Sequence, residues 1–191
     1  MLLTAAELQA LASRLPARPL TRFAPAPTGW LHLGHVLNAE YVWGIARALG
    51  GRVLLRIEDH DRGRSRGEFE AGILDDLDWL GYRPDIHPTA EFRAGACAGR
   101  QSDREAVYRR AFAALADAGR VYACDCSRRA LAAGAADGAP ELRYDGRCRD
   151  RRLPLGDGMG WRLRVDPGTE SFVDGRLGPQ AQDPAAQCGD L

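Results

Sequence analysis

The stretch RFAPAPTGWLHLGH, Arg22–His35, decides the fold. On its N-terminal side, LTRFA (20–24) reads as a short buried strand. On its C-terminal side, GHVLNAEYVWGIARAL (34–49) has helical spacing of Val36, Leu37, Val42 or Trp43, Ala46 and Leu49, and Gly50-Gly51 ends it. A strand, a turn and a helix in that order put the helix N-terminus at the carboxyl end of a sheet, where free N–H groups favour phosphates. Pro25 and Pro27 stiffen the turn, and Gly29 and Gly34 let backbone approach a ligand. His32 and His35 lie three residues apart around the helix start, so both can face one phosphate. Imidazole N–H groups there can stabilise charge on an α-phosphate as pyrophosphate leaves, a transfer that needs positioning and charge neutralisation. A bare His-Leu-Gly-His run also fits a proline-rich surface loop with two histidines.

Outward from this stretch, RVLLRIED (52–59) reads as a second strand, apolar between charged ends and so buried on both faces. Ser65 and Glu68 form a capping box before a helix with an apolar stripe of Phe69, Ile73, Leu77 and Leu80. Strand, helix, strand, helix is a right-handed parallel βαβ pattern, and the fold class is α/β. Upstream, Thr4 and Glu7 cap a short helix, with no basic leader before it. Downstream, Ser102 and Glu105 cap a helix through Ala118, ended by Gly119, and a brief strand follows at Val121. GWRLRV (160–165) and ESFVD (170–174) read as an antiparallel pair around the Asp-Pro-Gly turn, and the tail from Leu177 reads as loop. ALAAGAADGAP (130–140) reads as a mobile, low-complexity loop.

Bulk properties narrow the function classes. The 191 residues allow one sizeable core, or one core plus a small insertion. The formal net charge is zero, so bulk charge does not advertise a nucleic-acid binder. Every one of the 26 basic residues is Arg, which excludes a lysine phosphate clamp or Schiff base. No apolar run reaches membrane-spanning length. The five cysteines are odd in number and make a poor disulfide framework, which points to a reducing cytoplasm.

Three of those cysteines fall in 124–154, where the texture turns Ala/Gly-rich and then Arg-rich. YACDCSRR supplies Cys124 and Cys126, and RYDGRCRD supplies Tyr144 and Cys148. Three thiolates at this spacing suit structural zinc and leave one position open. Tyr144, Cys97, His87, Cys188 and water are the candidates for it. Tyrosine is the poorer choice on chemistry alone, since its phenol must lose a proton near pKa 10, although zinc and Arg143, Arg147 and Arg149 would ease that loss. The run Arg143 to Arg152 is a candidate RNA-facing patch or a solvated charged loop.

RFAPAPTGWLHLGH resembles the first signature of class I aminoacyl-tRNA synthetases in its glutamyl and glutaminyl form, Arg-x-Ala-Pro-x-Pro-Thr-Gly leading into His-Leu-Gly-His. LLRIEDHDRGRS resembles the Arg-Ile-Glu-Asp block of the same group on the next strand. The resemblance implies a Rossmann-like parallel sheet with a small zinc-binding insertion. Residues 1–120 are then the first part of the catalytic core, 121–158 the insertion, and 159–191 a return toward the core. It implies catalytic roles for His32 and His35, and ATP contacts from Pro27, Thr28, Gly29, His32, Gly34 and His35. It implies a glutamate pocket of Arg22, Phe23, Ala24, Pro25, Ala26 and Glu58, with Asp59 and Asp61 as alternatives for the substrate ammonium. Arg22 offers a planar fork for a carboxylate. Arg56 is a candidate structural ion-pair partner, and Glu58 alone also fits a salt bridge with Arg62 or Arg64. Ala26 stands where the family often has serine, and Trp30 either walls the site or packs.

Cys-x-Cys followed by Tyr-x-x-x-Cys looks like the glutamyl-queuosine tRNA(Asp) synthetases, and that narrower resemblance favours Tyr144 as fourth zinc ligand. It implies a monomer that activates L-glutamate with ATP and Mg2+ without tRNA. The glutamyl group then passes to queuosine in the anticodon of tRNA(Asp). The family's second signature, resembling Lys-Met-Ser-Lys-Ser, has no match in these 191 residues, which are expected to be a truncated product, a fragment or a degenerate copy. Alternatives are a piece of an ordinary glutamyl-tRNA synthetase, a nucleotidylyl transferase sharing His-x-Gly-His, and a zinc-stabilised tRNA-binding remnant.

Overall fold

The computed structural model describes residues 4–132, 143–175 and 177–191. The expected mobile loop at 130–140 lies mostly outside them. The chain divides into two compact units, Met1–Val107 and Tyr108–Leu191.

The first unit holds α1 (Ala5–Ala12), β1 (Leu20–Phe23), α2 (Leu33–Ala48), β2 (Arg52–Leu55), α3 (Gly67–Leu80) and α4 (Thr89–Ala94). The Thr4/Glu7 capping box forms as its residues dictate. β1 and β2 pair in parallel, with Arg22 opposite Leu54 and Phe23 opposite Leu55, so β1–α2–β2 is the βαβ unit. Beyond Leu55 the backbone stays in register: Arg56 N–H donates to the Phe23 carbonyl and Glu58 N–H to that of Pro25, both at 3.0 Å. On the other side Leu54 of β2 bridges Ile86, and Ile57, just beyond β2, bridges Arg100, both in parallel.

Burial along 52–59 corrects the expectation of a strand covered on both sides. Val53, Leu55, Ile57 and Asp59 are buried, while Arg52, Leu54, Arg56 and Glu58 are half-exposed. A strand shows alternate residues to opposite faces, and here one set is mostly charged. Likewise β1 buries only Phe23, and Leu20 is exposed. On the covered face, α2 buries Ala39, Trp43 and Ala46, and α3 buries Ile73, Leu74 and Leu77. Trp43 sits 5.4 Å from Phe23 and 4.8 Å from Tyr82, ring centre to ring centre, and its indole N–H donates to the Arg83 carbonyl. Leu37 and Leu80 are exposed, so each apolar stripe is rotated slightly from the sequence reading.

The capping box at Ser65 does not form. Arg66 is the N-cap of α3, with no side-chain cap bond, and Ser65 Oγ is buried without a hydrogen-bond partner among the described residues. Ser65 N–H instead closes a turn on the Asp61 carbonyl. A 3-10 turn (Ser102–Arg104) precedes α5 (Glu105–Asp117), which spans the division between the units.

The second unit holds β3 (Val121–Cys124), α6 (Arg128–Ala132), β4 (Gly160–Leu163), β5 (Glu170–Asp174), β6 (Gly178–Gln182) and α7 (Pro184–Gln187). β4 pairs antiparallel with β3, and β5 with β6. The expected β4–β5 pairing is thus replaced, and the tail read as loop contains β6 and α7. Between β5 and β6, Asp174 Oδ1 accepts the Leu177 N–H and Gly178 has φ +76°. α7 is capped by Asp183, whose carboxylate accepts from Ala186 N–H, with Pro184 in its first turn. Among the described residues no helix is long and apolar enough to cross a membrane.

Candidate active site and candidate metal centre

The first unit carries the predicted phosphate site at the junction of β1 and α2. Pro25 and Pro27 are buried, and their carbonyls accept from Glu58 N–H and Arg66 N–H at 3.0 Å, so the turn is strapped to the residues after β2. His32 is the N-cap of α2. Its Nδ1 accepts from Gly34 N–H at 3.1 Å, while His35 Nδ1 accepts from His32 N–H at 3.2 Å. The two rings lie 4.0 Å apart, centre to centre. Each neutral imidazole therefore has its Nδ1 lone pair engaged and its proton on Nε2. Burial, and then the neighbouring His32, hold the His35 imidazole below its ordinary value, which favours this neutral form. The result is two N–H donors directed away from the cap.

Gly34 has a steric reason: a Cβ there would stand 2.9 Å from His32 Cε1. Gly29 has none within the fold, since a Cβ there would meet nothing within 4 Å. Trp30 packs. Its ring meets Phe69 edge-on at 5.1 Å and fills the space a Gly72 Cβ would take.

The half-open face of the β1–β2 pair carries Arg22 and Arg56 with Leu20 and Leu54, and Arg104 joins them around a cleft of ≈ 510 Å³. Arg56 and Arg104 were not foreseen as lining groups; the period-two alternation through 52, 54, 56 and 58 was the signal for Arg56. Arg56 Nε lies 3.5 Å from Glu58 Oε1. Of the expected glutamate-pocket residues, Phe23 and Pro25 are buried, Arg22 and Ala26 are exposed, and Ala24 and Glu58 lie between, as does Thr28 of the expected ATP contacts. Asp59 is buried and accepts from Ser102 N–H at 2.9 Å, a structural task. Asp61 binds Arg64 at 2.7 Å, and that bond holds its carboxyl below the usual range. Asp59, Asp61 and Glu58 thus each have a partner within the protein.

In the second unit the sequence-distant Cys124, Cys126, Tyr144 and Cys148 come together. The three Sγ atoms lie within 4.8 Å of one another, and Cys126 Sγ is 3.6 Å from Cys148 Sγ. Tyr144 Oη is 3.6 Å from Cys124 Sγ and accepts the Cys148 N–H at 2.9 Å. Tyr144 is held from behind, its N–H donating to the Cys188 carbonyl at 2.9 Å. The Arg162 guanidinium stacks 3.6 Å from the Tyr144 ring centre, and its Nε lies 3.4 Å from Cys124 Sγ. Burial pushes the Cys124 thiol up, but Arg162 and the neighbouring donors outweigh it and bring it down to about 7. Burial and hydrogen bonds to Cys148 and Cys124 raise the Tyr144 phenol, so it stays protonated when no metal is bound. Cys97 and His87 belong to the first unit, and Cys188 contributes its carbonyl; all five cysteines are free thiols.

The donor set fits zinc. A tetrahedron with metal–sulfur bonds of about 2.3 Å has sulfur–sulfur edges of about 3.8 Å, close to the 3.6 Å between Cys126 and Cys148. The candidate RNA patch is largely neutralised within the protein. Arg147 pairs with Asp145, Arg149 with Asp190 and Arg151 with Asp125, and Arg143 donates to the Ala186 carbonyl.

Comparison with known proteins identifies the family of the chain. The family model for the catalytic domain of class I tRNA synthetases (E and Q) matches residues 20–152, and the chain belongs to that family. A Glutamyl-Q tRNA(Asp) synthetase of Rhodobacter capsulatus is 47% identical over 142 residues, 71% of this chain and 48% of that protein. One from Bordetella bronchiseptica is 43% identical over 175 residues, 89% of this chain and 51% of that protein. A glutamate tRNA ligase structure from Elizabethkingia meningosepticum, solved with its amino acid, superposes with TM-score 0.68 at 25% identity, over 91% of this chain and 38% of that one. The chain spans about half the length of the Glutamyl-Q relatives it matches.

Proposed function

We propose that this chain carries the nucleotide- and glutamate-binding part of a cytoplasmic, monomeric enzyme that activates L-glutamate with ATP and Mg2+, without tRNA. The products are glutamyl-adenylate and pyrophosphate, and the glutamyl group then passes to queuosine in the anticodon of tRNA(Asp). One observation carries the reading: the mutual cap of His32 and His35, which leaves two neutral Nε2–H donors at the start of α2.

In this reading the glutamate α-carboxylate attacks the α-phosphorus of ATP in line, and the P–O bond to pyrophosphate breaks. His32 and His35 stabilise the charge gathering on the transferring phosphoryl oxygens, and no covalent enzyme intermediate is needed. Pro27, Thr28, Gly29 and Gly34 shape the backbone against the nucleotide. Arg22 receives a substrate carboxylate as a planar fork, Glu58 accepts from the ammonium, and Phe23, Ala24, Pro25 and Ala26 wall the pocket. Arg56, beside Glu58, adds a second guanidinium for the dicarboxylate. Cys124, Cys126, Tyr144 and Cys148 hold one structural zinc within the insertion at 121–158. The ion supplies a cross-link between β3 and the segment at 143–151.

The names of the relatives support the queuosine acceptor. A second reading, an ordinary glutamate–tRNA ligase, is favoured by the 40% identity over 154 residues to the Glutamate–tRNA ligase of Salinispora arenicola. The test is glutamate-dependent exchange of pyrophosphate into ATP with no tRNA present, compared with glutamine and aspartate. Exchange with glutamate alone is expected, and its absence removes adenylate formation from this chain. Glutamyl transfer is then assayed on tRNA(Asp) with and without queuosine. An ester on the 3′ end of tRNA(Glu) instead establishes the second reading.

A further inference from the structure

In the first unit, away from the β1–α2 junction, a second group of metal-binding side chains converges. His87 Nδ1 lies 2.9 Å from Glu91 Oε2, and Cys97 Sγ lies 3.7 Å from that same oxygen. All three donor atoms fall within 4.8 Å of one another. His87 and Cys97 also line an open cleft of ≈ 490 Å³, with Asp103 on the same wall. One nitrogen, one carboxylate oxygen and one sulfur, with room left for water, form the donor set of a borderline-soft divalent ion.

The three groups are held in place from several sides. His87 is in the left-handed region at φ +56°, a conformation a non-glycine residue keeps only when its surroundings require it. A Cβ on Gly99 would meet Phe92 Cζ at 2.5 Å and His87 Cβ and Cγ at 3.0 Å, so Gly99 gives way to that imidazole. Cys97 is 6% exposed; its Sγ receives Gly99 N–H at 3.3 Å and its N–H donates to Asp103 Oδ2. Arg104 lines the same cleft, and Arg100, whose charge reaches Cys97, is already paired with Glu70 and Asp103. The Arg100 charge is therefore balanced before a metal ion arrives.

We infer that His87, Glu91 and Cys97 form a second divalent-metal site, of structural type, taking Zn2+ or a similar ion with water completing the shell. An ion there joins the start of α4 to the turn at 97–100. That turn pairs with the sheet, because Ile57 N–H donates to the Gly99 carbonyl at 2.9 Å and Gln101 N–H to the Ile57 carbonyl at 3.0 Å. The ion thus braces the backbone one residue before Glu58. The inference does not depend on the proposed activity.

The test is a Co2+ titration of the metal-stripped full chain, followed through the sulfur-to-cobalt absorption and compared with three variants. Cys97→Ser removes the thiolate, Glu91→Gln removes the charge, and His87→Asn keeps a residue tolerant of positive φ. The wild type is expected to show a binding step that Cys97→Ser lacks. Glu91→Gln and His87→Asn should weaken that step by about ten-fold or more. The steps from the Cys124, Cys126 and Cys148 cluster should be unchanged in all three, which also reports that the variants are folded. Identical titrations in wild type and Cys97→Ser overturn the inference. So does a second step that neither His87→Asn nor Glu91→Gln shifts.

Discussion

The chemistry of His32 and His35 depends on backbone hydrogen bonds more than on their own positions in the sequence. Because each Nδ1 accepts an N–H, the reactive face of each ring is Nε2–H. Gly34→Ala would drive a methyl toward the His32 ring without straining the backbone. Adenylate formation should then fall by about 100-fold, the scale of losing one oriented donor. The urea midpoint should change little, since Ala exceeds Gly by about 0.8 kcal/mol in a helix while displacing the His32 cap costs about 1 kcal/mol. Gly29→Ala should leave the midpoint unchanged, and any loss there is a loss of ATP affinity. The His35 ring also sets a pH dependence. Its folded pKa lies below 6.5, so the folded state binds fewer protons than the unfolded chain in that range. Stability is full above 6.5 and falls as pH drops through the lower folded value. His35→Asn, which keeps an acceptor for the His32 N–H, should flatten urea midpoints measured between about pH 5 and 7.

At the scale of elements, the βαβ unit was legible because strand, turn and helix each carry their own signal within thirty residues. The errors have separate physical causes. Ser65-x-x-Glu68 has the letters of a capping box, but the Asp61 turn takes the Ser65 backbone and moves the cap to Arg66. Ser65→Ala is therefore expected to be neutral or stabilising by up to about 1 kcal/mol, since it removes a buried hydroxyl with no partner. A working N-cap would instead cost about 1 kcal/mol on the same change, so equilibrium urea unfolding separates the two. The Asp-Pro-Gly turn at 166–168 looked like a hairpin, yet β4 is claimed by β3 forty residues upstream, a pairing no local pattern encodes. The same holds for the candidate sites. Residue types at Cys124, Cys126, Tyr144 and Cys148 were readable, whereas Arg162 over the Tyr144 ring and Arg104 beside Arg22 follow only from tertiary packing.

Across the whole molecule, the two units rest on different chemistry. The first buries a hydrocarbon and aromatic layer under one sheet face. The second has a small core of Tyr122, Cys124, Tyr144 and Cys148, and it is organised around the buried carboxylate of Asp190. Asp190 accepts from Tyr122 Oη at 2.6 Å, from Arg149 Nε at 2.7 Å and from Val165 N–H at 2.9 Å. The Arg149 guanidinium holds that carboxyl well below its ordinary 3.8, despite burial. Its stabilisation is therefore complete above 3.8 and is lost as pH falls through the folded value. Asp190→Asn should destabilise the second unit by about 3 kcal/mol and leave a shallower acid limb in thermal unfolding followed from about pH 5 to 2.

The contact between Tyr122 and Asp190 spans 68 residues, and the Cys188–Gly189 backbone lies directly behind Tyr144. The β1–α2–β2 unit, by contrast, has all of its chain by residue 59. During synthesis these two facts separate in time. The first unit can fold while the ribosome is still adding the second. Cys124, Cys126 and Cys148 emerge well before the residues that close over them, and at about 5–20 residues per second they wait for several seconds as accessible thiols. Those thiols are therefore most open to oxidants during that interval, before the fold that buries Cys124 and Cys148 is complete.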